Sequence, residues 1–415
     1  MKALVFDVNV EEIIHLIQDV HQSKEAYLGE HSPISMREIP DAAVQFPDWL
    51  VIQTRLTGIC GSDYKQVFID FENIDSPMAA CATFPQVMGH EVVGTIAAVG
   101  PAVRERKVGE RVVLNPWLSC APRGITPICP MCRDGQYSLC QNFRHGRLAA
   151  GIHTGTCRDA SGGFAPLVPA HESMAIPLPD EVSDEQAVLA DPFSVSLHSV
   201  LRYPPKPGDL VVVYGCGTLG LCAIEILHKL FDVRIVAIAR FDHQADLARR
   251  LGAEEVIAWR PTEDIIARLA AITGSDLFTP SEGAPGLPML YGRPGVRVVY
   301  NTVGTAESLE VAVRIAGPRS TVVMSGVDTP ARFEWSPHYF KEINLVGSNA
   351  FGVEEFEGTR QHAMQHYLDL VRAKRVDVTP ILTHRFRLDD YKEAFRTTHT
   401  QGETGAVKVL FDFRP

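Results

Sequence analysis

The sequence predicts an α/β protein: a doubly wound parallel sheet preceded by a β-rich part. Three observations carry this. From about Asp209 onward, short β-branched runs alternate with helical periods, the pattern of strands joined by crossover helices. A glycine triplet, Gly215-x-Gly217-x-x-Gly220, stands between the first such run and the first such helix. Before residue 185 the chain has short strands, many Gly and Pro, and few helical periods.

The elements follow in order. "DLVVVYG" is a continuous apolar strand, "CGTLGLCAIEILHKLF" a helix and "VRIVAIAR" a second strand. "DHQADLARRLGA" reads as an amphipathic helix ending at Gly252, "EEVIAW" as a strand and "TEDIIARLAAITG" as a helix. "TPSEGAPGLPMLYGRPG" is a Gly/Pro-rich loop. Strand "VRVVYNTVG", helix "ESLEVAVRIAG" and strand "STVVMSG" come after it. The tail adds helix "QHAMQHYLDLVRAKR", a short helix near "LDDYKEAFRT" and strand "AVKVLFDF". "VEEIIHLIQDVHQ", near the start, is a helical insertion in the β-rich part.

Composition narrows the function classes. A chain of 415 residues holds about two to three domains of ~150 residues each. Its 46% apolar content supports a full core. A net charge of −11 with no Lys/Arg cluster argues against nucleic acid and anionic membranes as partners. The most apolar window, "VVVYGCGTLGLCAIEIL", holds three glycines and Glu225, so no membrane span is expected. "MKALVFDVNVEE" lacks the pattern of a signal peptide, which points to the cytoplasm, where thiols stay reduced.

Cys120, Cys129, Cys132 and Cys140 have the spacing C-x8-C-x2-C-x7-C. Disulfides, a metal and chance are the three readings. A reducing compartment weakens the first. Four thiolates, two of them from a Cys-x-x-Cys turn, suit a closed tetrahedral zinc that holds a lobe (about 117–142) and does no chemistry. Cys81, Cys157, Cys216 and Cys222 read as small hydrophobes.

The glycine triplet, with Thr218 and Leu219 inside it, is the form a dinucleotide loop takes. The first glycine allows the turn, the second lets backbone approach a pyrophosphate, and the third lets helix pack on strand. Cys60 in "GICGSD", His90 in "MGHEVVG" and Asp191 in "LADPFSVSLHS" could make a three-ligand zinc site with an open fourth position. Singly, each has a plainer reading: a core thiol, a satisfied histidine, a helix N-cap. Together with the cysteine quartet and the glycine loop they favour the metal.

At this point the chain resembles the zinc-dependent alcohol dehydrogenases of the medium-chain dehydrogenase/reductase family. The resemblance runs through "MKALVF", "TGICGSD", "GHEVVGTIAAVG", "KVGERVV", the cysteine quartet, "GGFAPLVP", "LADPFSVSLHS", "GCGTLG" and "KEINLVGS". It implies a GroES-like catalytic domain from both chain ends (1–188 and 346–415), a Rossmann domain (189–345) and an active site in the cleft. By that resemblance Cys60, His90 and Asp191 hold catalytic zinc, with Glu91 as a neighbour and alternate ligand. Asp63 orients His90, and Ser62 accepts the alcohol proton. Lys408 reaches the cofactor pyrophosphate, and backbone at Val303–Gly304 and Ser325–Gly326–Val327 lines the nicotinamide. Two zinc ions per chain, NADP or NAD, a small alcohol or carbonyl substrate and a homodimer or homotetramer are expected.

Three features depart from the family pattern. Lys65 stands where many relatives carry a relay histidine. The first two quartet cysteines lie unusually far apart. Insertions occupy about 8–30, 145–162 and 276–295. Trp117, Phe143 and Phe193 could form an apolar pocket or core. For the cofactor, the acidic position expected at the end of the second strand holds Ala239, followed by Arg240. Arg240, helped by His243, suits a 2′-phosphate and favours NADP, whereas Asp242 takes the acidic role if the strand ends later. Two rival readings are a zinc-free quinone or enone reductase of the same superfamily and a non-catalytic binding protein on this fold.

Overall fold

The structure is a computed structural model and describes residues 1–20, 24–69, 80–281, 286–292, 295–326, 328, 334 and 336–415. Two compact units divide the chain. One comprises Met1–Asp191, Arg360–Ala373 and Leu382–Pro415, and the other Pro192–Thr359 and Lys374–Ile381. The sequence expectation drew its boundaries at 188/189 and 345/346.

In the second unit, runs such as Leu210–Tyr214 are buried along nearly their whole length, as strands covered on both faces must be. Six strands form one sheet in the order Glu255–Ala258, Arg234–Ala239, Leu210–Tyr214, Val296–Asn301, Ala316–Met324, Asn344–Gly347. All neighbours are parallel. Numbered along the chain this is 3-2-1-4-5-6, the doubly wound dinucleotide-binding order. Helices Thr218–Leu230, Asp242–Arg250, Thr262–Thr273 and Ala306–Ile315 supply the crossovers. Val212, Val236, Val299, Val322 and the apolar faces of the last two helices make one core.

The segment read as a Gly/Pro-rich loop contains more than a loop. Asp276–Phe278 and Met289–Tyr291 pair as a short antiparallel ribbon, with Phe278 stacked on Tyr291 at 4.6 Å. The pairing arises between two three-residue runs too short to show alternation.

The first unit is β-rich. Trp49–Gly58 is the central strand of a seven-stranded sheet, pairing with Glu91–Val99, Leu167–His171 and Lys408–Asp412. The last of these strands also pairs with Leu382–Phe386. A three-stranded sheet, Ile34–Glu38, Lys2–Phe6 and Gln86–Val87, completes it. Its cores gather Trp49, Ile52, Val92 and Leu114 in one cluster, and Leu4, Met88, Phe164 and Phe411 in another. The "VEEIIHLIQDVHQ" segment forms helix Val10–Val20. Among the described residues no helix is long and apolar enough to cross a membrane.

Candidate metal centres and dinucleotide loop

The cysteine quartet is assembled by a local helix. Cys129 is the N-cap of Pro130–Arg133, Pro130 fills the first helical position, and the Cys132 N–H donates to Cys129 Sγ at 3.4 Å. Cys120 is brought alongside, its sulfur accepting from Cys129 N (3.4 Å) and Asn142 Nδ2 (3.2 Å). All four sulfurs lie within 4.8 Å of one another, and Cys120 and Cys140 are 3.7 Å apart. Zinc–sulfur bonds of about 2.3 Å require tetrahedral edges of about 3.8 Å. Four thiols this close cannot all ionise unaided. Hydrogen bonding from Cys140 holds Cys132 down at about 5, while Cys140 itself is pushed up. A divalent cation removes that conflict, so the residues fit one. All nine cysteines are free thiols.

Cys132→Ser is expected to lower the thermal midpoint by several degrees and the zinc content by one ion per chain, because closed zinc sites contribute to folding. Differential scanning fluorimetry with metal analysis reads both, and an unchanged melt at full zinc content removes the structural assignment.

The second centre combines residues far apart in sequence. Cys60 ends the central strand's extension and caps helix Gly61–Val67, where its N–H donates to Asp63 Oδ2 at 2.9 Å. His90 immediately precedes strand Glu91–Val99, and Glu91 lies opposite Gly58 in the strand pair. A Cβ on Gly58 would come 1.9 Å from Glu91 Oε2, so glycine is what admits the carboxylate here. Ligand atoms of Cys60, His90 and Glu91 all lie within 4.8 Å.

This set differs from the expected one. Glu91 completes it, and the Asp191 carboxylate does not fall within that group. Strand register brings Glu91 inward, whereas Asp191 sits in the first turn of helix Ala190–Arg202. Asp191 is buried and pushed up to about 7 by that burial. Burial lowers His90, yet Asp63, Cys60 and Asp191 carry it well above the ordinary range. His90 Nδ1 is buried without a hydrogen-bond partner, and Asp63 Oδ1 lies 3.8 Å from it, too far to accept a hydrogen bond. Asp63 therefore acts on His90 through charge. An imidazole, a thiol and a carboxylate with ligand atoms this close form a donor set that fits a zinc ion. Ser62 is exposed in the first turn of the same helix, and Lys65 is half-buried one turn on.

Lys408 does not present a free ammonium to a pyrophosphate. Its Nζ donates to both Glu91 oxygens (2.7 and 2.8 Å) and to the Ile59 carbonyl (3.1 Å), and the residue is buried. Burial alone would lower it, but Glu91, Cys60 and Asp191 raise it above the usual lysine value.

Sequence reasoning missed His153. It lies in the 145–162 insertion, and its ring packs against His90 with centroids 4.6 Å apart. Burial, with His90 next to it, depresses His153 to about 3. Trp117 meets it edge-on at 5.9 Å. A lone histidine in an insertion carries no pattern from which this could be read.

In the second unit the glycine loop follows strand Leu210–Tyr214 and opens helix Thr218–Leu230. Gly215 has φ +96°, and a Cβ on Gly220 would approach Gly215 O to 1.8 Å. A Cβ on Gly217 would meet nothing within 4 Å, so space for a ligand lies against its backbone. Thr218 and Leu219 form the helix's first turn, whose N–H groups suit phosphate. Asn301, also missed, is fully buried and ties two segments together. Its Oδ1 accepts from Val303 N and Gly304 N (3.0 Å each), and its carbonyl accepts from Ser325 N (3.0 Å) and Gly326 N (3.1 Å). Val327 lies outside the described residues. The second strand stops at Ala239, and Arg240 is exposed, its guanidinium 5.2 Å from the Phe241 ring and 5.9 Å from that of Trp259. Asp242 belongs to the following helix. Trp117 and Phe193 are buried, and Phe143 packs on the cysteine quartet.

The family model of an alcohol dehydrogenase GroES-like domain matches residues 46–180, and that of a zinc-binding dehydrogenase matches 218–366. The chain is 28% identical over 382 residues to the L-threonine 3-dehydrogenase of Rhizobium etli, covering 91% of this chain and 94% of that one. It superposes on the crystal structure of 2R,3R-butanediol dehydrogenase from Bacillus subtilis with a TM-score of 0.70 at 25% identity, over 92% and 96% of the two chains. Galactitol-1-phosphate dehydrogenase from Escherichia coli shares the fold, with a TM-score of 0.72 at 21% identity, over 99% and 100%.

Proposed function

The chain belongs to the zinc-type medium-chain dehydrogenase/reductase family, and from that premise we propose that it is a zinc-dependent alcohol dehydrogenase with a second, structural zinc. The reaction is reversible. A hydride leaves the carbinol carbon for the nicotinamide, the hydroxyl proton passes by way of Ser62 to solvent, and a carbonyl compound remains. The observation that carries this reading is the convergence of ligand atoms of Cys60, His90 and Glu91 within 4.8 Å of one another. Zinc held there would supply Lewis acidity toward an alcohol or carbonyl oxygen, and a nicotinamide on the glycine loop would supply the hydride acceptor or donor. Asp63 fixes the Cys60 backbone and biases His90 by charge. Lys408 balances Glu91. Asp191 adds negative charge next to His90 when ionised. Ser62, exposed at the helix start, is the assigned proton acceptor.

Zinc analysis and a panel of primary alcohols, secondary alcohols and polyols with both cofactors test the reading. Two zinc ions and oxidation of at least one class are expected, whereas one ion or none favours the zinc-free reductase or the binding protein. Assembly as a homodimer or homotetramer belongs to the same reading.

NADP is the favoured cofactor, supported by a strand that ends at Ala239 with Arg240 next. Arg240→Ala is expected to cut kcat/KM for NADP about 10- to 100-fold through loss of charge-assisted hydrogen bonds to the 2′-phosphate, with a much smaller effect on NAD. A parent that prefers NAD, or a preference the substitution leaves untouched, overturns it.

A further inference from the structure

We propose that His153 is a specificity-determining residue: its Nε2 accepts a hydrogen bond from a second donor on the substrate, so that the enzyme selects alcohols carrying a neighbouring hydroxyl or ammonium group. This rests on the dehydrogenase reading above and deepens it.

The placement comes first. The His153 ring lies 4.6 Å from that of His90, a member of the Cys60–His90–Glu91 centre. Its orientation is set from two sides. The Trp117 ring meets it edge-on at 5.9 Å, and the two residues share an isolated backbone bridge. Nδ1 lies 2.6 Å from the Thr154 carbonyl. A carbonyl only accepts, so Nδ1 carries the hydrogen and Nε2 keeps its lone pair. Among the described residues Nε2 makes no hydrogen bond, and the residue is only half-buried. An acceptor nitrogen is thus carried by the ring that packs on His90, with no hydrogen-bond partner among the described residues.

The backbone that presents His153 is held with unusual care. Arg123, fully buried, donates its five guanidinium hydrogens to five carbonyls. Nε reaches Leu118, Nη1 reaches His145 and Leu148, and Nη2 reaches Ala149 and Gly151, at 2.6–3.1 Å. The Leu118 N–H donates to the Ile152 carbonyl at 2.9 Å, and the Ala149 N–H to Asp159 Oδ2 at 2.6 Å. The stretch from His145 to Gly151 is thereby fastened to the chain entering the cysteine quartet, two residues before His153.

The chemistry of the partner follows. In the reading above the hydroxyl being oxidised gives its proton to Ser62, which leaves Nε2 for another donor. The donor is a second group, and an acceptor nitrogen discriminates strongly against an analogue lacking it.

The test compares 2-butanol, 2,3-butanediol and 3-amino-2-butanol in the parent, His153→Phe and His153→Gln. Phe keeps a ring against His90 and Trp117 but has no acceptor, and Gln keeps an acceptor. In the parent, kcat/KM for the diol or amino alcohol is expected to exceed that for 2-butanol. His153→Phe should reduce that ratio about 10- to 100-fold, mainly through KM, with zinc content retained, and His153→Gln should restore part of it. The arm whose ratio falls identifies hydroxyl or ammonium as the donor. A loss shared equally by all three substrates, or ratios unmoved in both arms, overturns the proposal. Calorimetric binding of the same compounds to the zinc-loaded chain gives the ratio without turnover. A parent that oxidises none of them then fails the dehydrogenase reading, while the binding ratio still decides His153.

Discussion

Lys408→Met is expected to destabilise the metal-free chain by about 3–5 kcal/mol, because it strands the Glu91 carboxylate in a buried site with no cation beside it. Both side chains are almost fully enclosed, 2% and 1% exposed, and the ammonium meets both carboxylate oxygens. Nothing exposed replaces that contact, so solvent cannot soften the loss as it does for surface pairs. Lys408→Met combined with Glu91→Gln should recover much of the difference, since two neutral groups leave no unpaired charge. The urea midpoint of the four members of that cycle, followed by tryptophan fluorescence and far-UV circular dichroism, measures the coupling. A Lys408→Met midpoint within error of the parent would mean that the pair contributes nothing.

The larger effect on activity belongs to Cys60→Ala. Its sulfur belongs to the three-residue set, and an open site loses its metal when one ligand goes. Several kcal/mol of transition-state stabilisation should disappear, about 10³-fold or more in kcat. Zinc content should fall from two ions to one, with the quartet still loaded, because its four sulfurs come from a separate segment. The fold should persist, for Cys60 sits at a helix start and is not part of the apolar clusters. Metal analysis beside steady-state rates reads both outcomes, and substantial turnover by a one-zinc Cys60→Ala protein would falsify the catalytic assignment.

How much of this was legible depends on sequence distance. The cysteine quartet spans 21 residues and carries its own helix cap, so its spacing alone suggested a closed site. The parallel strands were legible because each buried run, such as Leu210–Tyr214 or Arg234–Ala239, is continuous and bounded by a helix. The ribbon Asp276–Phe278/Met289–Tyr291 was not, since three-residue strands among glycines and prolines leave no period. Placing Glu91 rather than Asp191 nearest Cys60 and His90 required knowing that Glu91 faces Gly58 across a strand pair, a matter of register. Lys408 was assigned to a phosphate by the family resemblance, and its partner Glu91, 317 residues away, lies beyond the reach of pattern. His153 and Asn301 act through ring packing and backbone hydrogen bonds, which leave no trace in spacing.

That 317-residue separation also has a temporal meaning. Ribosomes add about 5–20 residues per second. Glu91 is therefore added to the chain about 15–60 s before Lys408 is made. Throughout that interval Cys60, His90 and Glu91 are all in the growing chain while the strand Lys408–Asp412, which pairs with Trp49–Gly58, does not yet exist. The contiguous Pro192–Thr359 segment is completed meanwhile. The cysteine quartet can close on its metal as soon as its own segment emerges, but the reactive centre reaches charge balance with its lysine only when the closing strand is translated.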